Sequence, residues 1–147
     1  MESSAARILV VANKTAATPS LLEAVRERAS RGPCEFTLLV PNATHGLHKV
    51  VDPEDQSQNE AETTIELALP LLEEAAGGPV DAMIGVPEPL AAIQDAVNLH
   101  GFDELIISTL PTRVSKWLRL DLPHKVAALG LPVTTVTARS REEAGVQ

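Results

Sequence analysis

The chain alternates between short runs of consecutive apolar residues and longer stretches in which apolar residues recur every three or four positions. The first run, Arg7-Ile-Leu-Val-Val-Ala12, has the unbroken apolar character of a strand buried on both faces. The polar turn Asn13-Lys14-Thr15 follows. Thr18 is placed to cap a helix that has Pro19 at its first position, with Leu21, Leu22, Val25 and Ala29 on one face and Gly32 as the stop. Glu35 to Val40 reads as a second strand, closed by Pro41-Asn42.

Residues 41–58 show no period and are expected to form a long mobile loop. A helix is expected over about residues 59–76, with Ile65, Ala68, Leu69, Leu72 and Ala75 on its inner face. Pro70 lies inside it and cannot donate to Glu66, so a kink is expected there. Val80 to Val86 is a third strand, and Pro87-Glu88-Pro89 opens a helix that places Leu90, Ile93, Ala96 and Val97 inward and stops at Gly101. Glu104 to Ser108 is a fourth strand. Residues 109–120 are a basic segment. Asp121 is placed to cap a short helix running through Leu129, and Pro132 to Thr137 is a fifth strand. Residues 139–147 form a charged tail, expected to fray.

Strands that alternate with helices imply a parallel sheet and a doubly wound α/β fold, here a single domain over residues 1–147 with no internal repeat. Ligands of such sheets lie beyond the carboxyl ends of the strands, where the strand order reverses. That rule selects Asn13-Lys14-Thr15, Val40-Pro41-Asn42, Gly85-Val86-Pro87 and the stretch from Ser108 to Lys116.

Composition narrows the reading. The 147 residues include three aromatics, Phe36, Phe102 and Trp117, and no Tyr, so the core must be aliphatic. The net charge of −8 is unevenly spread: residues 51–112 carry thirteen Asp/Glu and no Lys or Arg, whereas residues 1–50 are net +2 and residues 113–147 net +3. An acidic chain poor in aromatics is ill suited to nucleic acid, which needs a basic face and stacking platforms. No apolar run reaches the length of a membrane span, and the N-terminus lacks a signal-peptide pattern. A cytoplasmic location is expected. The single cysteine, Cys34, reads as an inert strand-edge residue rather than a nucleophile.

Thr109, Thr112, Arg113, Ser115 and Lys116 put hydroxyls and cations at the end of the fourth strand, a set suited to an anion. The plainer alternative is a solvated basic loop, and Asp121 at the start of the next helix opposes phosphate. Asn13 and Lys14 fit a ligand edge and its charge equally as well as they fit a turn. His45, His48, Asp52, Glu54 and Asp55 combine soft and hard donors without a defined spacing, so no metal site is assigned. His100 suits a helix end, and His124 is given no role. No Gly-rich phosphate loop and no nucleophile–base pair is present, so no cofactor and no catalytic residue is assigned. Trp117, Leu118, Leu120 and Leu122 fit either an exposed patch for a protein partner or the packing of a loop onto the sheet. Strand 132–137 is β-branched and unprotected, an edge that invites pairing with a second copy.

Three segments carry a family likeness. Ile8-Leu-Val-Val-Ala-Asn13, Phe102-Asp-Glu-Leu-Ile-Ile-Ser108, and Lys125-Val126 with Gly130-Leu-Pro-Val-Thr-Thr-Val136 resemble the opening strand, fourth strand and closing helix–strand of the universal stress protein family. The resemblance implies a five-stranded parallel sheet of order 3-2-1-4-5 and a homodimer through strand five. Nucleotide-binding members of that family carry Gly-x2-Gly-x9-Gly-Ser/Thr after strand four. Here those positions fall without gaps on Ser108, Pro111, Asp121 and Leu122, and the family's acidic residue ending strand one is Asn13. Side chains thus stand where backbone must approach phosphate, Pro111 removes an N–H donor, and Asp121 adds a negative charge.

The sequence therefore points to a divergent member of universal-stress type. The expected role is non-catalytic regulation or interaction, without the usual ATP mode. The alternative is a binder of a nucleotide or other small anion in a rebuilt strand-1/strand-4 cleft, drawing on Asn13, Lys14, Thr15, Asn42, Ser108, Thr109, Thr112, Arg113, Ser115 and Lys116. An enzyme is the third reading, and fold alone licenses no chemistry for it.

Overall fold

A computed structural model describes residues 5–12, 15–41, 56–86, 88–109 and 122–137. The strands are β1 (Ala6–Val11), β2 (Cys34–Pro41), β3 (Val80–Gly85), β4 (Glu104–Thr109) and β5 (Val133–Thr137). The helices are α1 (Pro19–Ala29), α2 (Gln56–Ala76), α3 (Pro89–His100) and α4 (Leu122–Ala127). All strand pairs are parallel, in the order β3-β2-β1-β4-β5. The chain is thus the doubly wound α/β fold expected, with β3 and β5 at the two edges and the order reversing between β1 and β4.

The continuous apolar runs are explained by burial on both faces. Along β1, Ile8 and Val10 pack with α1 and α2 through Leu21, Val25, Ala68 and Leu72. Leu9 and Val11 point the other way, onto Ile93, Ala96, Leu122 and Val126 of α3 and α4. β2 and β4 divide in the same fashion: Leu38 and Ile106 join the first cluster, Leu39, Leu105 and Ile107 the second. This two-residue alternation is the strand period, seen with both faces apolar.

Local chemistry sets the ends of the helices. The Glu88 carboxylate accepts from the Ala91 N–H at 2.9 Å and caps α3 ahead of Pro89. Gly77 and Gly101 take positive φ, 79° and 77°, where α2 and α3 end. Gly85 serves a different need. A Cβ there would lie 2.7 Å from the Ala92 Cβ, so its absence lets α3 sit close on the end of β3.

Several expectations are corrected. Of the residues assigned to a loop over 41–58, Pro41 belongs to β2, opposite Gly85, and Gln56 to Gln58 belong to α2; residues 42–55 lie outside the described residues. Thr18 is the N-cap of α1 but does not cap with its side chain. Its Oγ1 donates to the Thr15 carbonyl at 3.0 Å instead, tightening the turn before the helix. α4 ends at Ala127, and the turn to Gly130 replaces its expected last residues. Pro70 lies inside α2, as the helix expected over 59–76 places it. The tail 139–147 and the histidine–carboxylate group His45, His48, Asp52, Glu54 and Asp55 lie outside the described residues. Among the described residues no helix is long and apolar enough to cross a membrane, and no group of His, Cys, Asp and Glu could hold a metal.

At the amino ends of the strands, two polar locks tie the layers together. Arg28, in the last turn of α1, forms a forked pair with Glu104, the first residue of β4. Its Nε donates to Oε1 at 3.0 Å and its Nη2 to Oε2 at 2.8 Å. Arg7 donates through its backbone N–H to Asp103 Oδ2 and through Nη1 to the His100 carbonyl, while its guanidinium lies 5.3 Å from the Phe102 ring centre. These contacts fix the register of β1 against β4, and with it the opposite, carboxyl end.

Candidate functional site

At the carboxyl ends of β1 and β4 the structure brings together Thr15 and Ser108, with Thr109 next along β4. The chain leaves β1 at Ala12, whose N–H still donates to the Leu39 carbonyl. It then turns at Thr15 to Ala17 before entering α1. Thr15 is buried, and its Oγ1 lies 2.6 Å from Ser108 Oγ, with either hydroxyl free to be the donor. The Thr15 carbonyl accepts from both the N–H and the hydroxyl of Thr18. One residue therefore joins the β1–α1 turn to the end of β4 and to the start of α1.

Strand alternation separates the two β4 hydroxyls. Ser108 follows Ile106 onto the α1/α2 face, where Thr15 meets it. Thr109 follows Ile107 onto the α3/α4 face. Only 2% of Thr109 is exposed, and its Oγ1 has no hydrogen-bond partner among the described residues. A buried hydroxyl left so costs about 1–3 kcal/mol. Leu122, at the position where the resemblance calls for a hydroxyl, is buried in the core with Leu9, Val11 and Ile107.

Of the ten residues selected from the sequence, Thr15, Ser108 and Thr109 are placed at this crevice. Asn13, Lys14, Asn42, Thr112, Arg113, Ser115 and Lys116 lie outside the described residues, as do Pro111, Asp121, Trp117, Leu118 and Leu120. Among the described residues no base stands beside these neutral hydroxyls, and what they offer is hydrogen bonding. Position at the strand ends selects Thr15 and Ser108, and nothing in the sequence signals their mutual bond. The opposed directions of Ser108 and Thr109 were accessible from the alternation along β4.

Cys34, at the start of β2, lies near the Arg28–Glu104 pair. Burial pushes its thiol above the ordinary range, and Glu104 adds to that push while Arg28 opposes it. Such a thiol is a poor nucleophile, in keeping with a structural role.

No family model and no curated protein matches the sequence. Solved structures do. A universal stress protein from Archaeoglobus fulgidus superposes with a TM-score of 0.65 at 18% identity, covering 89% of this chain and 93% of that one. The universal stress protein of the same organism in complex with dAMP gives 0.60 at 17% identity, covering 89% and 97%. A universal stress protein in complex with cAMP gives 0.54 at 16% identity, covering 92% and 99%. The order β3-β2-β1-β4-β5 with helices on both faces is therefore the universal stress protein fold.

Proposed function

We propose that this chain is a universal-stress-type regulatory or interaction protein that performs no catalysis and does not hold ATP in the usual mode. The observation that carries the reading is the Thr15–Ser108 hydrogen bond of 2.6 Å. Ser108 stands at the first glycine position of the nucleotide pattern, and its side chain is committed to Thr15 in the crevice between β1 and β4. The buried Leu122 at the pattern's hydroxyl position supports the same conclusion. Calorimetry with ATP and Mg²⁺ tests it: no heat of binding is expected at micromolar to millimolar nucleotide. Micromolar binding that is lost on Asp121 or Arg113 substitution would overturn it.

A second reading is favoured by Thr109. Its buried, unpartnered Oγ1 suits a small ligand reaching the α3/α4 face of the β4 end, and two neighbours of like fold were solved with dAMP and cAMP. On this reading a nucleotide or other small anion enters a rebuilt cleft, with Asn13, Lys14, Arg113 and Lys116 supplying polar contacts and charge. A thermal-shift panel of dAMP, cAMP and phosphorylated metabolites tests it. A shift abolished by Thr109→Val and Arg113→Ala supports it, and a flat panel rejects it.

Homodimerisation through strand 132–137 belongs to the proposal as well. It is supported by the place of β5 at the sheet edge, its exposed Thr134, Thr135 and Thr137, and its lack of charge. Native mass spectrometry of the wild type beside Thr135→Lys reads it directly.

A further inference from the structure

We infer that the outer face of α2 is a docking surface for a cationic amphipathic helix of another protein. The inference stands on α2 alone and holds whichever way the β1–β4 crevice is read. Large aliphatic side chains are exposed there: Leu67 to 67% and Leu71 to 41%. They stand one turn apart, with exposed Pro70 between them and exposed Thr63 and Glu74 continuing the stripe a turn in each direction. The inner face of the same helix is already satisfied through Ala68, Leu72 and Ala75. Leu67 and Leu71 are therefore not needed for the core, and their exposure serves nothing within the described domain.

Charge identifies the partner. Glu62, Glu66 and Glu74 are exposed around the leucines, and the stretch from 51 to 112 contains no Lys or Arg to offset them. α2 packs against β3, within that same cation-free stretch, and against α1, whose exposed Arg26 is outnumbered by exposed Glu23 and Glu27. Exposed aliphatic groups and carboxylates together fit a helix with one aliphatic face flanked by Lys or Arg. Nucleic acids and anionic membranes are repelled by such a surface. A second copy placing α2 against α2 would set these carboxylates against each other.

The probe is a synthetic Lys/Leu amphipathic peptide of about 18 residues, long enough for about five turns. It is titrated against the full chain, beside a scrambled peptide of the same composition and a Glu/Leu counterpart. The Lys/Leu peptide is expected to bind at least about tenfold more tightly than either control. Leu67→Ser with Leu71→Ser should weaken it about tenfold, and Glu62→Gln, Glu66→Gln and Glu74→Gln together should remove most of its salt dependence. Both variants change exposed positions, and circular dichroism checks their folding. Hydrogen exchange on the unaltered chain provides a readout that needs no variant: added protection should centre on residues 61–76. Equal binding of the scrambled peptide, unchanged binding by the leucine variant, or protection elsewhere would overturn the inference. So would a dimer of the chain alone that the leucine variant abolishes.

Discussion

Thr15 Oγ1 and Ser108 Oγ are separated by 93 positions in sequence and by 2.6 Å in the fold, at the point where the strand order reverses. The bond holds the β1–α1 turn against the end of β4 through two hydroxyls. Removing one partner strands the other hydroxyl in a buried setting. Ser108→Ala is therefore expected to destabilise the chain by about 1–3 kcal/mol, and Thr15→Val similarly. The double variant, with both hydroxyls gone, should lose less than the two single losses combined. Urea unfolding of the four proteins measures the coupling. Strict additivity would show that the hydroxyls act separately.

The Arg28–Glu104 pair is forked and mostly buried, with side-chain exposures of 14% and 29%. Arg28→Gln should cost about 1 kcal/mol, more than an isolated surface pair, because the planar fork satisfies both carboxylate oxygens. The loss should shrink as salt is raised. Thermal unfolding of wild type and variant at low and high salt checks both the size and the trend.

Cys34 gives the pH dependence. Its thiol is raised by burial first, and Glu104 reinforces this against the opposing Arg28. A folded value above the unfolded one means that the contribution to stability is present below the ordinary thiol pKa and is lost as pH rises through the folded value. Stability should therefore fall on the alkaline side, and Cys34→Ser should flatten that fall. Alkylation near neutral pH should be slower than for free cysteine, and Glu104→Gln should speed it by removing a negative charge from beside the thiolate. Alkylation as fast as that of free cysteine would contradict the assigned environment.

Much of the fold was legible because burial imposes a period that the sequence must carry. Ile8 to Val11 are apolar without a break since both sheet faces are covered, and Ile65, Ala68, Leu69, Leu72 and Ala75 recur at helical spacing since one face of α2 is. Helix ends are legible in Pro19, Pro89 and Gly101 for equally local reasons. The site was less legible. Thr15 and Ser108 were selected by position at strand ends, but a hydrogen bond across 93 residues leaves no periodic trace in the chain. Thr18 shows the same limit on a smaller scale. Its identity announced a cap, and the competing Thr15 carbonyl, which only the folded turn brings near, took the hydroxyl instead.

Gly85 tests how closely β3 and α3 approach. A Cβ at this position would meet the Ala92 Cβ at 2.7 Å and Leu39 Cδ1 at 3.0 Å. The leucine end can swing aside, but the Ala92 Cβ is fixed to its helix. Gly85→Ala should cost about 1–3 kcal/mol through this overpacking. Adding Ala92→Gly should return part of the loss despite the helix penalty of glycine, about 1 kcal/mol. Urea midpoints for the two single variants and the double variant decide it, and a neutral Gly85→Ala would mean that α3 can move away from the sheet freely.

Pro70 is a stability cost that the chain retains on an exposed surface. It interrupts the hydrogen bonding of α2, a helix of 21 residues, and its own ring is exposed, so little packing depends on it. An interior proline is about 3 kcal/mol less favourable than alanine in a helix. Against this, proline restrains the unfolded chain by about 0.4–1 kcal/mol, and the surrounding helix has already adjusted to the ring. Pro70→Ala restores an N–H to the Glu66 carbonyl, and the balance predicts a net gain of about 1–2 kcal/mol. The gain should appear as a higher urea midpoint with an unchanged slope, since the surface exposed on unfolding is nearly the same. A loss of stability would show that the ring makes packing contacts which its exposure argues against. A gain accompanied by weaker binding of the Lys/Leu peptide would tie the proline to the docking face, because its ring is exposed between Leu67 and Leu71.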